Sequence, residues 1–231
     1  MLFEGFLDLL FPKRCVGCFL ELKAGALCAP CHAALPPPSA PRCPHCAVRV
    51  PFGVLASPCV SALGIKRLFI GGSYRHALLR AAVDALKYEG VRDLVAPLAT
   101  TLVAPLETAI QENCAAPLLV PIPLHTRRLR DRGFNQSELL ARTLSTLLPA
   151  PIARNAIIRT RNTKQQIALA SEARKENLRN AFRANIPESY RTRTFLLIDD
   201  VITTGATIRE SSRALRRDGV KEIWAAAVAQ S

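Results

Sequence analysis

The sequence predicts an α/β fold: a parallel sheet flanked by helices, preceded by a small cysteine-rich module. Three observations carry that expectation. Beyond about residue 63, apolar runs of strand length alternate with segments of helical periodicity, the pattern of a sheet wound by helices on both faces. Seven of the eight cysteines fall between residues 15 and 59, among prolines and with little hydrophobic periodicity, which marks a knuckle-and-loop unit over residues 1–62 and a sheet domain over 63–231. The chain has 231 residues and 49% hydrophobic content, enough for a real core.

In chain order, the apolar opening "MLFEGFLDLLF" is expected to be a helix packed on its own domain. It carries Glu4 and Asp8, lacks a basic n-region and runs into cysteines, unlike a cleaved signal peptide. "RLFIGGSYR" reads as the first strand, and "HALLRAAVDALKY" as a helix stopped by Gly90. "LVAPLATTLVAPLETAIQ" is a second apolar helix whose continuity Pro97 and Pro105 should limit. "APLLVPIPL" is a buried strand ending at Leu124, and "NQSELLARTLSTLL" a helix capped near Asn135 or Ser137. "IARNAIIRT" is a short strand, followed by the basic stretch "RNTKQQIALASEARKENLRNAF", a loop or partly helical excursion. "TFLLIDD", a helix through "ATIRESSRALRRDG" and the strand "EIWAAAVAQ" complete the sheet. No uninterrupted apolar segment approaches the length that spans a bilayer, so membrane insertion is not expected and the cytoplasm is the expected compartment. No internal repeat at a fixed period is evident.

The formal net charge is +13, and its placement is uneven. Residues 121–193 hold 15 Lys/Arg against 5 Asp/Glu, a surplus of ten that suits a polyanion or a phosphorylated substrate. Aromatic residues make up only 6% of the chain, and Phe134, Phe182 and Tyr190 are not interleaved as a base-stacking platform, so any contact with single-stranded DNA would rest on phosphate charge.

Residues 195–208, "FLLIDDVITTGATI", set a buried-strand run against two carboxylates and a Thr/Gly turn. A sheet's carboxyl edge is where such folds bind ligands. There Asp199 and Asp200 need cationic or hydroxyl partners; a vicinal diol supplies hydroxyl donors, and a magnesium ion would reduce their mutual repulsion. In "TTGAT", Gly205 admits the backbone to an anion. Thr203, Thr204 and Thr207 offer hydroxyls, and the helix starting near Ala206 offers unpaired N–H groups. A ribose 5-phosphate has both a diol and a phosphate at about this separation.

The segment resembles the phosphoribosyl-pyrophosphate (PRPP) motif of type I phosphoribosyltransferases. That resemblance places Asp199, Asp200, Val201, Thr203, Thr204, Gly205, Ala206 and Thr207 in the PRPP site, with the two aspartates on the ribose hydroxyls as the catalytic pair and residues 203–207 on the 5-phosphate. Together with "VPIPLHTRRLRDRGFNQSELLAR", "RTRNTKQQIALASEARKENLRNAF" and the C-x-x-C pairs, the chain is similar to the ComF-type proteins associated with competence for DNA uptake. The resemblance implies a pyrophosphate loop after Leu124 bearing Arg127, Arg128 and Arg132, and a flexible catalytic loop after Thr160. Gln166, Arg174 and Asn177 match recurrent positions of the pattern. Lys87 could reach a phosphate or serve only to satisfy a helix end. Transfer would displace pyrophosphate from magnesium-bound PRPP to an acceptor that the residues do not identify. The alternatives are a single-stranded-DNA-binding protein or a docking protein for other competence components, with the PRPP fold as scaffold.

"CVGC" at 15–18 and "CAPC" at 28–31 bring Cys15, Cys18, Cys28 and Cys31 to the spacing of a closed tetrahedral zinc site. "CPHC" at 43–46 begins a second site with Cys43, Cys46 and Cys59. The similar double-zinc-ribbon pattern wants one more cysteine three residues on, where Ala62 stands. His45 lies between two knuckle ligands and is a poor substitute, and His32 has a similar problem. Cys114 is expected to be an ordinary thiol.

Overall fold

A computed structural model describes residues 12–113, 115–160 and 180–231. The opening apolar segment, Cys114, Gln166, Arg174 and Asn177 lie outside the described residues, as does most of the basic stretch after Thr160.

Two short helices belong to the cysteine module, α1 (Ala29–Ala33) and α2 (Ser57–Leu63). Then follow β1 (Arg67–Ser73), α3 (Ala77–Asp84), α4 (Val95–Asn113) and β2 (Leu118–Pro121). Next are α5 (Thr126–Arg132), α6 (Gln136–Leu147), β3 (Ile157–Arg159) and β4 (Phe182–Ala184). The chain closes with β5 (Thr194–Ile202), α7 (Ala206–Arg217) and β6 (Glu222–Gln230). Strands pair in the order β1-β6-β5-β2, all parallel.

Alternation along each strand sorts the core onto two faces. Leu196, Ile198, Trp224, Ala226 and Val228 pack with Leu79, Leu98, Leu102, Leu140 and Leu144, so α3, α4 and α6 cover one side. Phe195, Leu197, Ile223, Ala225 and Ala227 pack with Ile208 and Leu215 of α7 and with Cys43, Leu55, Cys59 and Leu63. The second cysteine group thus shares its core with the sheet.

Three expectations change. Pro105 does not divide α4, which runs through it as one helix. A buried stripe including Leu98, Leu102 and Leu106 holds the helix on the sheet, against the roughly 3 kcal/mol that an interior proline costs. By length and composition, Arg92–Asn113 would also be enough to cross a membrane, which the sequence reading did not allow; here its apolar face is packed on the strands. Finally, Ile157–Arg159 leaves the parallel sheet and pairs antiparallel with Phe182–Ala184. The segment meets the main sheet upstream of that pair: Ile152 forms an isolated parallel bridge to Leu119, whose N–H donates to the Pro151 carbonyl at 2.8 Å and whose carbonyl accepts from the Ala153 N–H at 2.9 Å.

Candidate functional site

β5 is central, with β2 on one side and β6 on the other, and delivers Asp199 and Asp200 to the carboxyl edge. The strand continues past them: Asp199 pairs with Ala227 and Val201 with Ala229. The partners that two adjacent carboxylates require come from distant segments. Ser137 donates its hydroxyl to Asp199 Oδ1 at 3.3 Å, because Asn135 caps α6 by accepting from the Ser137 N–H at 3.1 Å and leaves that hydroxyl free to do so. Lys87 Nζ lies 3.2 Å from Asp200 Oδ1, both side chains only 15% exposed. Lys87 sits where α3 widens into a single π-helical turn, Ala85–Glu89, before Gly90 stops it in the left-handed conformation, φ 73°. Such a turn inserts a residue and re-aims the side chains around it. The lysine is therefore part of the acidic site and not merely a helix-end cation.

Burial, then the neighbouring charge of Asp200, push the Asp199 carboxyl up to about 7; Lys87, the Asp200 N–H and the Ser137 hydroxyl oppose that rise. Removing the lysine charge should expose the conflict. We expect Lys87→Met to lower stability by about 3 kcal/mol, the scale for breaking a largely buried ion pair from one side, with urea unfolding as the check.

The turn that follows has the predicted shape. Gly205 is the N-cap of α7 at φ 68°, a left-handed conformation, and no side chain caps the helix's first N–H groups. Thr203 is exposed, and Thr204 and Thr207 are partly so. A β-carbon at position 205 would lie 2.9 Å from Pro44 Cβ and 3.4 Å from a Leu63 methyl. The second cysteine knuckle therefore braces this turn, a contact for which the sequence carries no signal.

The three arginines expected on a pyrophosphate loop lie on a short helix, α5, since β2 ends at Pro121 and His125 Nδ1 caps the next turn by accepting from the Arg127 N–H at 3.1 Å. Arg127 is exposed. Arg128 is partly buried, and burial and then the charge of Arg132 lower its pKa. Arg132 stacks over Tyr88, 5.6 Å from the ring centroid and one residue from Lys87. A fourth arginine, missed from sequence, joins them. Arg159 at the end of β3 lies over the Phe182 ring at 5.4 Å. Burial, then the charge of Arg128, lower its pKa to about 10, while Asp199 pulls the other way. His125 is held below its usual value by burial and by Arg159, Arg128, Arg130 and Arg127. The edge thus sets acceptors for hydroxyls beside cations for a polyphosphate.

In the N-terminal module, the Cys15, Cys18, Cys28 and Cys31 sulfurs all lie within 4.8 Å of one another, as do those of Cys43, Cys46 and Cys59. Burial would raise the Cys15 thiol, but N–H groups of Cys28, Cys18 and Gly17 bring it down to about 6. Convergent thiols with N–H···S support are what a structural zinc ion needs. His45 is not among the clustered ligands; its N–H donates to Cys43 Sγ at 3.4 Å.

Comparison with known proteins agrees with this architecture. The double zinc ribbon domain family matches residues 6–60, and the phosphoribosyl transferase domain family matches residues 132–231. Competence protein F of Haemophilus influenzae is 41% identical over 106 residues, covering 46% of each chain. The chain is thus similar to ComF-type proteins. DNA utilization protein YhgH of Escherichia coli strain K12 is 42% identical over 108 residues, 46% of this chain and 47% of that one. Competence protein ComFC of Bacillus subtilis is 36% identical over 102 residues, 44% of this chain and 39% of its own. In these alignments the chain spans about half the length or less of the curated relatives it matches, 39% to 47%. The matched phosphoribosyltransferase segment contains the acidic pair, the Thr/Gly turn, Ser137 and Arg159, whereas Lys87 lies before it.

Proposed function

We propose that this ComF-type chain binds PRPP, or a related ribose 5-phosphate, with magnesium in the cytoplasm, and serves DNA uptake or utilisation. The observation that carries the reading is the union, on one strand-turn-helix, of the partnered Asp199–Asp200 pair and the uncapped α7 N-terminus at Gly205. The aspartates accept hydrogen bonds from the ribose hydroxyls. The residues from Thr203 to Thr207 hold the 5-phosphate through hydroxyls and N–H groups. Arg128, Arg132 and Arg159 supply the positive charge that stabilises a departing pyrophosphate. Arg127, exposed on the same helix, is the outermost member of that set. The reaction open to such a site is displacement of pyrophosphate from the anomeric carbon by an acceptor, with positioning and charge stabilisation as the protein's contribution.

The double variant Asp199→Asn/Asp200→Asn is expected to weaken magnesium-dependent PRPP binding about a hundredfold by calorimetry, the loss of two charge-assisted acceptors, with circular dichroism unchanged. Unaltered affinity refutes the assignment. Release of pyrophosphate on incubation with magnesium PRPP and a panel of bases and single-stranded DNA measures turnover.

The exposed Arg127 and Arg130, in a segment with a surplus of ten positive charges, favour a second reading, in which a basic face grips single-stranded DNA. Affinity would then fall steeply with salt. Its persistence in the double aspartate variant would separate the DNA face from the PRPP site. Docking to competence proteins through the zinc module is the remaining arrangement.

A further inference from the structure

The cysteine module is a tandem repeat with an offset of 28 residues, which the sequence reading missed because the intervening side chains differ. The antiparallel bridge Arg14–Glu21 recurs as Arg42–Arg49. The Cys15 N–H to Leu20 carbonyl bond, 2.8 Å, recurs as Cys43 to Val48 at 2.8 Å; Leu22 to Lys13 recurs as Val50 to Pro41, again 2.8 Å in both. Left-handed Phe19 (φ 62°) and Gly25 (φ 79°) have counterparts in Ala47 (φ 61°) and Gly53 (φ 74°). Each unit ends in a helix with a proline in its first turn, α1 and α2.

This register pairs Cys15, Cys18 and Cys31 with Cys43, Cys46 and Cys59, and it pairs Cys28 with Ala56. Both are N-caps with extended backbone, φ −72° and ψ 161° for Cys28, φ −66° and ψ 150° for Ala56. Their carbonyls make the same helix bond, to the N–H of His32 at 2.8 Å and of Val60 at 2.9 Å. Ala62 corresponds to Ala34, which follows α1 and is no ligand. The missing ligand position is therefore 56, six residues before the position the sequence pattern suggested.

We propose that Cys43, Cys46 and Cys59 form a three-thiolate metal site whose fourth position, beside Ala56, takes an exchangeable donor from solution. Three sulfurs within 4.8 Å, two of them buried, suit zinc as a coordination base, and three protein ligands leave one position for water or a small solute. Ala56 is exposed, whereas Cys28 is only 8% exposed, so the first site is closed and the second is reached by solvent. The ion pair Arg14–Glu21, 3.8 Å, becomes two arginines in the second unit, Arg42 and Arg49, a net positive charge on that unit which favours an anionic donor such as a small-molecule thiolate. On binding, the thiol gives its proton to solvent and replaces water on the metal.

The full chain loaded with cobalt(II), which reports thiolate coordination in its visible spectrum, provides the test. Titration with mercaptoethanol is expected to shift the spectrum of the wild type and of Ala62→Cys, and to leave Ala56→Cys unmoved. No shift in the wild type, an equal shift in Ala56→Cys, or loss of the shift in Ala62→Cys overturns the proposal. Should Ala56→Cys fail to fold, zinc release from the wild type to a chromogenic chelator decides: two ions leaving in a fast and a slow phase support an open second site, and a single ion or one slow phase refutes it.

Discussion

Raising the pH from about 5.5 to about 8 is expected to cost the wild-type chain about 2 kcal/mol more stability than it costs Asp199→Asn. Burial and Asp200 raise the folded-state pKa of Asp199 from 3.8 to about 7. Between those values the folded chain holds a proton that the unfolded chain has released, so stability falls as the pH rises and the loss is complete above about 7. Asparagine keeps the shape and an acceptor for the Ser137 hydroxyl but cannot ionise, which removes the slope. Urea unfolding of both proteins across this range checks the prediction, and parallel curves would show that Asp199 ionises as an ordinary carboxylate. Working above about 5.5 avoids the acid loss of metal from thiolate sites. In the proposed PRPP site the same conflict would be relieved by ribose hydroxyls and a divalent cation.

Gly205→Ala should lower stability by about 3 kcal/mol and abolish ribose 5-phosphate binding, through two separable causes. Backbone at φ 68° strains any residue with a β-carbon. That carbon would also stand 2.9 Å from Pro44 Cβ, inside normal contact. Pro44→Gly alone is expected to be mild, and adding it to Gly205→Ala should restore the packing part of the loss and leave the backbone part. A double-mutant cycle by urea unfolding, with calorimetric titration of ribose 5-phosphate, resolves the two. Strictly additive losses would mean that the cysteine knuckle does not brace the turn.

The features legible in the amino-acid order are those whose interacting groups are neighbours in the chain. The 195–208 stretch could be read because the buried run, the acidic pair, the left-handed glycine and the helix start are consecutive. The Asn135 cap and the Gly90 stop are likewise events within a few residues. The cysteine knuckles were readable because a metal site built on C-x-x-C draws ligands in close pairs. Even so, the position of the absent eighth ligand depended on backbone register, since Ala56 and Ala62 are both plain alanines in sequence.

What completes the site comes from far along the chain. Ser137 reaches Asp199 across 62 positions, Lys87 reaches Asp200 from the π-helical turn, and Pro44 reaches Gly205 from the other module. A serine in a helix's first turn or an arginine ending a short strand has nothing local to distinguish it from a solvated one. Residue order by itself determined the strand-turn-helix, its acidic pair and the clustered thiols, because local geometry and spacing are written in adjacent residues. The folded arrangement alone decided which cations and hydroxyls satisfy the carboxylates, because only close packing of remote segments makes those carboxylates costly to leave unpaired.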